Sequence, residues 1–271
     1  MENYQSTNTC TYNILYVQFN EDFERSKYFS YDVKYPVIYN IRNQSTYVNP
    51  VILNNINNAV RMTVNNFKNG LQEEEREYNN ATSQNSLPKQ SYWVSTSYAV
   101  TFNKNYVLSM ILNLMGFANN YGPKYNTLNN YNIDLTTGKE LLLNDIFRDG
   151  VDYINIITDY IKSQINENRE MYYSNVELVI PEDQAFYLTD NGIIIYFGVD
   201  EIAPESFGIP KFELKFSDFG NFINLRFYCI SPDIYVQKEE ELSILWDKNI
   251  DNSKPYFSIY AGVGLRFIYL K

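Results

Sequence analysis

Residues 131–147 of this chain have the sequence YNIDLTTGKELLLNDIF, and residues 180–210 have the sequence IPEDQAFYLTDNGIIIYFGVDEIAPESFGIP; these two stretches decide the fold. The first predicts a strand, a turn closed by Gly138 and a short helix capped at Asn144, because glycine closes turns without steric penalty and asparagine caps helices. The second predicts two strands joined by a tight turn at 190–192, where Asp, Asn and Gly favour a hairpin.

Two amphipathic helices and a series of strands surround these stretches. Apolar residues three or four apart predict one helix that is capped by Asn49 and ends near Gly70, before an acidic run, and another over 151–167. Period-two alternation and β-branched or aromatic residues predict strands at 11–19, 29–41, 92–102, 105–117, 125–135, 184–189, 192–198, 211–216, 222–230 and 256–269. We therefore expect an α+β fold of antiparallel sheets, each packed by an amphipathic helix, in two similar-sized halves.

The order of these elements predicts four segments, with the main boundary near Tyr131. They are an N-terminal strand or extension at 1–28, a strand-helix-strand half at 29–130, a compact domain at 131–220 and C-terminal strands with an acidic excursion at 221–271.

The amino-acid composition excludes several classes of function. At 45% hydrophobic residues, the 271-residue chain is too apolar to be disordered. It contains no histidine, so its own residues cannot form a Ser-His-Asp or Cys-His nucleophile system or a zinc site with histidine ligands. Two cysteines are too few for a four-thiolate zinc site. We expect no metal, no cofactor and no catalytic residues.

The net charge of −10, from 22 Lys and Arg against 32 Asp and Glu, argues against nucleic acid as a partner. An acidic surface attracts basic partners, although it can also serve solubility alone. No stretch reaches the ~20 apolar residues of a membrane span. The first residues do not form a signal peptide. We thus expect an envelope or extracellular location if an anchor lies upstream, and otherwise the mother-cell cytosol or the spore coat.

Cys10 and Cys229 lie near opposite ends of the chain. They form either one long-range disulfide or two separate buried thiols. We prefer the thiols, although the sequence leaves both open, and it does not predict the oligomeric state.

Two ligand chemistries remain possible without histidine. Glycosidases need only a pair of carboxylates, and the acids clustered in sequence are Asp190, Asp200, Glu201 and Glu205. Aromatic rings can instead stack on sugars, and the candidates are Trp93, Tyr98, Tyr121, Tyr125, Phe197 and Phe207. Exposed acids are ordinary in loops, and most aromatic residues pack in cores, so neither set by itself predicts a site.

In their order along the chain, the two quoted stretches resemble the C-terminal domain of RsiV-type anti-sigma-factor ectodomains, which sense lysozyme. A similar domain of otherwise unknown function precedes some peptidoglycan deacetylase modules. The matching residues are Asp134, Gly138, Lys139, Asp145, Phe147, Phe186 to Thr189, Gly192, Tyr196, Phe197, Glu201 to Pro204 and Gly208. Of these, Asp134, Gly138, Asp145, Gly192 and Gly208 carry the structural motif. The sequence departs from the pattern at Glu205, where the family commonly has an aromatic residue.

The resemblance implies that the loop at 199–208 contacts the partner. Its predicted binding residues are Asp200, Glu201, Pro204, Glu205, Ser206 and Phe207. Prolines stiffen such a loop, and its acids complement a basic protein. The alternative is that the loop packs on the core while its acids are solvated.

We therefore expect a non-catalytic binding or sensing domain of the cell envelope of a Gram-positive, clostridial bacterium. Its partner would be a basic protein such as lysozyme, or a cell-wall glycan. A structural protein of the spore coat or surface layer is one alternative, and a carboxylate-dependent glycan hydrolase is another.

Overall fold

The computed structural model describes residues 10–41, 47–84, 88–119 and 122–228. Its larger sheet has five strands in the order β1-β2-β3-β4-β5. Their bounds are β1 Leu15–Arg25, β2 Phe29–Asn40, β3 Tyr92–Lys104, β4 Val107–Ala118 and β5 Pro123–Asp134. Neighbouring strands are antiparallel except β2 and β3, which are parallel. Parallel neighbours need a crossover connection, and here a helix supplies it.

That helix, α1, runs from Pro50 to Gln84 and packs its apolar stripe on one face of the larger sheet. It begins after Asn49, whose side chain accepts a hydrogen bond from the Val51 amide. The buried residues of α1 in this core are Ile52, Leu53, Ile56, Val60, Val64 and Leu71, and they contact buried residues of β2, β3 and β4. Apolar burial between helix and sheet therefore holds the N-terminal half together.

The smaller sheet has three antiparallel strands, β6 Phe186–Leu188, β7 Gly192–Tyr196 and β8 Lys211–Lys215. Helix α3, Tyr153–Glu167, packs on it through Ile157 and Ile161. Two four-residue helices flank this sheet, α2 Leu143–Ile146 and α4 Phe216–Phe219. The smaller sheet lies over the second face of the larger one, where Leu128 of β5 shares a buried cluster with Tyr187 and Tyr196.

A buried hydrogen-bond chain also joins the two sheets. The Ser109 hydroxyl of β4 donates to the Asn132 side chain of β5 at 2.7 Å, and it accepts from the Leu188 amide of β6 at 3.0 Å. The Asn132 amide group donates to the Phe186 carbonyl at 2.8 Å. Because these polar groups are buried, breaking one bond would leave its partner unsatisfied, so the chain fixes the position of the smaller sheet.

The α+β prediction is confirmed: each sheet carries an amphipathic helix. The boundary predicted near Tyr131 falls inside β5, which pairs with β4 along its length. Cys10 is bonded in a disulfide, so the preference for two separate thiols is wrong. Cys229, the predicted excursion at 231–255 and the predicted strand at 256–269 lie outside the described residues.

Three local predictions are corrected. Helix α1 continues past Gly70 to Gln84, because glutamates are good helix formers and a single glycine costs only about 1 kcal/mol. Helix α2 begins at Leu143, and the Asp145 carboxylate, not Asn144, accepts from the Leu142 amide at 2.8 Å. In the described part of the strand predicted at 222–230, only an isolated bridge forms, between Ile223 and Phe147.

Candidate functional site

The loop predicted to bind a partner connects β7 to β8, and its central residues are anchored in the core. Ile202 and Ala203 are buried, and the Ile202 carbonyl accepts a hydrogen bond from the Tyr173 amide at 3.1 Å. The loop is thus anchored to the core at its centre while its two ends remain accessible.

Two of the predicted acids hold the shape of this loop. Asp200 has a positive φ of 65°, and its carboxylate accepts a hydrogen bond from the Tyr173 hydroxyl. This bond raises the pKa of Tyr173, since it favours the protonated phenol. The Glu201 carboxylate turns back and accepts from the Gly198 amide at 2.6 Å. Glu201 therefore caps its own loop.

The far side of the loop forms an exposed rim. Glu205–Phe207 form one 3-10 turn, which Gly208 ends at a φ of 78°. Phe207 is 40% exposed, and its ring lies 5.4 Å from that of Tyr172. Pro204 and Ser206 are also exposed. The rim therefore exposes Phe207, Pro204 and Ser206 next to the buried residues Ile202 and Ala203.

A groove of about 390 Å³ separates this loop from the first half of β5. Asp200 and Glu205 line one side of it, and Lys124 lies on the other. The remaining lining residues are Pro123, Tyr125, Asn126, Thr127, Leu128, Tyr196, Phe197, Gly198, Val199 and Ile209. We call this space the loop groove. The loop groove thus lies between the predicted loop and β5, a strand that is distant from it in sequence.

A second groove of about 380 Å³, which we call the turn groove, continues along β5. Its acidic lining residues are Glu140 and Asp183, and the others are Leu128, Asn129, Asn130, Leu141, Leu142, Gln184, Phe186 and Tyr196. Leu128 and Tyr196 line both grooves. The two grooves thus adjoin each other beside β5; we call them together the path, and four carboxylates line it.

Tyr196 is the shared floor of this path. It is only 5% exposed, and its hydroxyl donates to the Leu128 carbonyl at 2.9 Å and contacts the Asn130 side-chain oxygen at 2.7 Å. Burial raises the pKa of this phenol, so it stays protonated and keeps donating at physiological pH.

The one lysine in the path is neutralised by a carboxylate from α1. The Glu74 carboxylate pairs with Lys124 and accepts hydrogen bonds from Tyr125 at 2.9 Å and Tyr92 at 3.3 Å. Burial opposes the ionisation of Glu74, but these three donors outweigh it and hold its pKa below the usual range. With Lys124 paired, the grooves present net negative charge to a partner.

Asp134 and Gly138 of the structural motif close the turn after β5. Asp134 accepts from the Arg226 guanidinium at 2.7 Å and from the Thr136 amide at 2.8 Å. The hydrogen bond from Arg226 is the main reason that the pKa of Asp134 lies well below its usual range. Gly138 has a φ of 76°, and a Cβ there would lie 3.1 Å from Ile52 of α1. Asp134 therefore links the turn to Arg226, and Gly138 lets the turn pack closely against Ile52 of α1.

Other motif positions also have structural roles. A Cβ on Gly192 would lie 2.3 Å from the Leu214 carbonyl oxygen, so only glycine lets β7 and β8 approach here. The Asp145 carboxylate caps α2, and Gly208 ends the turn of the binding loop. These five residues shape the scaffold around the grooves.

The fourth clustered acid, Asp190, lies away from the loop groove and pairs with Lys104 at 2.9 Å. Asp190, Asp200 and Glu201 thus each have a local structural partner. In the part of the chain that the structure describes, no group of three or more acidic or cysteine side chains is placed to hold a metal ion. Within the same residues, no helix has both the length and the apolar character to cross a bilayer.

The aromatic candidates do not gather into one platform. Phe197 is buried in the core, and Tyr98 packs against the α1 core. Trp93 stacks on Phe117 at 4.7 Å on the open face of the larger sheet. Tyr125 lines the loop groove, and Phe207 forms its rim; Tyr121 lies outside the described residues.

Sequence reasoning missed the β5 wall of the grooves. Residues 123–130 line it, and the alternation that predicts a strand at 125–135 was a usable signal that most of them lie on one strand. What the alternation could not show is that Tyr196, 68 positions later, packs against Leu128.

The fold and these grooves define an α+β protein with recesses between a sheet edge and a loop. Two family models match it in succession. The model described as Deacetylase PdaC matches residues 23–118, and the one described as a protein of unknown function, DUF3298, matches residues 144–217. The later part of the chain is therefore similar to DUF3298 domains, and the earlier part is similar to the PdaC model.

One solved structure supports the likeness in fold. A DUF3298 family member from Bacteroides fragilis superposes with a TM-score of 0.55 at 15% identity, over 79% of this chain and 95% of that one. A DUF3298 family protein from Pseudomonas aeruginosa gives a TM-score of 0.47 at 12% identity, with the same coverages of 79% and 95%. No curated protein matches the chain. At these identities the likeness concerns the fold alone.

Proposed function

We propose that this protein is a non-catalytic binding domain of the bacterial cell envelope that recognises a basic protein such as lysozyme. The observation that carries the proposal is the loop groove, where the loop at 199–208 faces β5 across a recess of about 390 Å³. Asp200 and Glu205 from the loop line this recess. A preformed acidic recess loses little conformational entropy when a cationic side chain enters it.

The state of the individual carboxylates supports binding rather than catalysis. Asp200 is held by Tyr173, and Glu201 is held by the Gly198 amide, so both have a role in shaping the loop. Carboxylates committed to such hydrogen bonds keep the loop in one conformation, and a preformed surface loses little entropy when a partner docks.

The similarity to RsiV-type ectodomains is the reason for choosing lysozyme as the first partner to test. The matched loop residues, Glu201 to Pro204 and Gly208, do not line the recess themselves; their sequence neighbours Asp200, Glu205 and Ile209 do. Cell-wall glycan is the second ligand to test, because similar domains occur beside peptidoglycan deacetylase modules and because a family model named for a deacetylase matches residues 23–118.

The experiment is retention of the pure protein on immobilised lysozyme and on purified peptidoglycan, each at 50 and 300 mM salt. We expect retention on lysozyme at 50 mM that weakens at 300 mM, since exposed charges are screened over about 8 Å at physiological ionic strength. Retention on peptidoglycan alone would assign the grooves to a glycan. Retention on neither at 50 mM salt would overturn the proposal.

A further inference from the structure

We propose that the free edge of β5 is a docking site for an extended, lysine-bearing segment of a partner protein, which adds to the larger sheet as a sixth strand. This inference rests on the proposed function and names its mode of recognition. Within the described residues, β5 pairs with a strand on one side only, where β4 lies.

The backbone groups on the open side can be assigned from two hydrogen bonds. The Asp134 amide donates to the Lys139 carbonyl, and the Asn132 carbonyl accepts from the Leu141 amide, so both residues direct their backbone groups away from β4. Outward and inward pairs alternate along an antiparallel strand. The register between β4 and β5 is continuous from 126 to 134. Asn126, Leu128 and Asn130 therefore also point outward.

The residues that carry these outward groups line the grooves, as do the intervening Thr127 and Asn129. Asn126 and Leu128 line the loop groove, and Leu128 and Asn130 line the turn groove. The Leu128 carbonyl already accepts from Tyr196, but a carbonyl oxygen has a second lone pair. Tyr196 lines both recesses, so a strand added along this edge from Asn126 to Asn130 would pass over its side chain.

Within the described residues, the proline, lysine and register irregularity of β5 are confined to its start, at Pro123, Lys124 and the step before Tyr125, and the stretch from Tyr125 to Asn130 lacks these devices against pairing. Natural sheets protect a free edge with proline, lysine, a bulge or a covering segment. Between Tyr125 and Asn130 the sequence is Tyr-Asn-Thr-Leu-Asn-Asn, with no proline and no charge, and the register irregularity lies earlier, opposite Gly116 and Phe117. An unprotected edge flanked by two recesses is the arrangement that peptide-binding domains use for strand addition.

The charges that line the two grooves favour a basic occupant. Asp200 and Glu205 line one recess, and Glu140 and Asp183 line the other, whereas Lys124 is neutralised by Glu74. Alternate side chains of an added strand point the same way, so lysines two residues apart would meet these carboxylates in succession. The occupant is thus an extended basic segment rather than an apolar one.

The test uses the intact protein and a ten-residue peptide of lysine alternating with threonine and valine. Amide hydrogen exchange is followed by NMR with and without saturating peptide. We expect the amides of Asn126, Leu128 and Asn130 to exchange at least about tenfold more slowly with peptide, while those of Thr127 and Asn129, which face β4, stay unchanged. Peptide that saturates the protein without slowing these three amides would overturn the inference.

A matched pair of variants tests the backbone bond separately from the side chain. Asn126→Pro removes the outward N–H, which an edge strand tolerates, and Asn126→Ala removes the side chain but keeps that N–H. We expect Asn126→Pro to bind the labelled peptide at least about tenfold more weakly and Asn126→Ala to stay within about twofold of the parent. Equal affinities would contradict strand addition.

The outcomes separate this inference from the proposed function. If lysozyme is retained but the three amides are not protected by peptide or lysozyme, the binding domain stands and strand addition falls. If peptide protects the amides while neither lysozyme nor peptidoglycan is retained, strand addition stands and the proposed partners fall. Slow exchange at these amides before any peptide is added, with no peptide binding, would mean that this chain or a second copy covers the edge, and would overturn the inference.

Discussion

The Tyr196 hydroxyl donates a 2.9 Å hydrogen bond to the Leu128 carbonyl, joining the central strand of the smaller sheet to the edge strand of the larger one. The same hydroxyl lies 2.7 Å from the Asn130 side-chain oxygen. This contact lies at the floor of both grooves, so the shape of the grooves depends on the docking of one sheet on the other.

Replacing Tyr196 by phenylalanine removes that contact and keeps the ring. We expect the free energy of unfolding to fall by about 1–2 kcal/mol, because the Leu128 carbonyl loses the hydrogen bond that joins the two sheets. Urea denaturation measures the change. The control is Tyr187→Phe, since the Tyr187 ring lies 6.1 Å from that of Tyr196 in the same cluster. An equal loss in both variants would show that the hydroxyl of Tyr196 has no special role.

The ion pair between Asp134 and Arg226 predicts a pH-dependent stability. The pKa of Asp134 is lower in the folded protein than the value of about 3.9 in an unfolded chain, so its contribution is complete above that value and is lost as the pH falls toward the folded pKa. Asp134→Asn should lower the free energy of unfolding by about 2 kcal/mol at pH 7.

The difference between wild type and Asp134→Asn should shrink steadily below pH 4, as the unfolded chain of the wild type takes up the proton. Urea denaturation at pH 7, 5, 4 and 3 measures it. A difference that stays constant from pH 7 to pH 3 would contradict the role of Arg226 in stabilising the charged form.

Two glycine-to-alanine changes should have opposite effects. Gly192→Ala forces a Cβ against the Leu214 carbonyl, where a contact of 2.3 Å is impossible without moving β8, and should lower the free energy of unfolding by about 2 kcal/mol. Gly70→Ala meets no atom within 4 Å and replaces a glycine inside α1. It should raise the free energy of unfolding by about 0.5–1 kcal/mol. Thermal unfolding compares them, and a stable Gly192→Ala variant would show that the two strands can separate locally.

The sequence was sufficient to predict features that depend on neighbouring residues. The strand, turn and hairpin around Gly138 and Gly192 follow from residue types that have few other conformations, and the stripes of α1 and α3 follow from their periodicity. The end of α1 was misplaced because Gly70 is a weak breaker inside a long run of helix formers.

The site could be predicted only in part, because half of it is created by tertiary packing. The loop at 199–208 was recognisable, but its opposite wall comes from β5, and no local pattern encodes the approach of Tyr196 to Leu128. The role of each acid was also hidden, since only the folded chain brings Tyr173 to Asp200 and the Gly198 amide to Glu201.

The acids of the loop groove carry the central claim, and two charge-matched double variants test it most directly. Asp200→Asn with Glu205→Gln removes both loop carboxylates from the groove, and asparagine tolerates the positive φ at position 200. Asp159→Asn with Glu77→Gln removes the same charge from exposed positions on α3 and α1.

The measurement is a lysozyme binding isotherm at 50 mM salt for the parent and both double variants. The groove variant should bind at least about tenfold more weakly, and the control variant should stay within about twofold, because only charges that contact the partner act at short range. Equal weakening of both variants, or no binding by the parent, would contradict recognition of a basic protein through this groove.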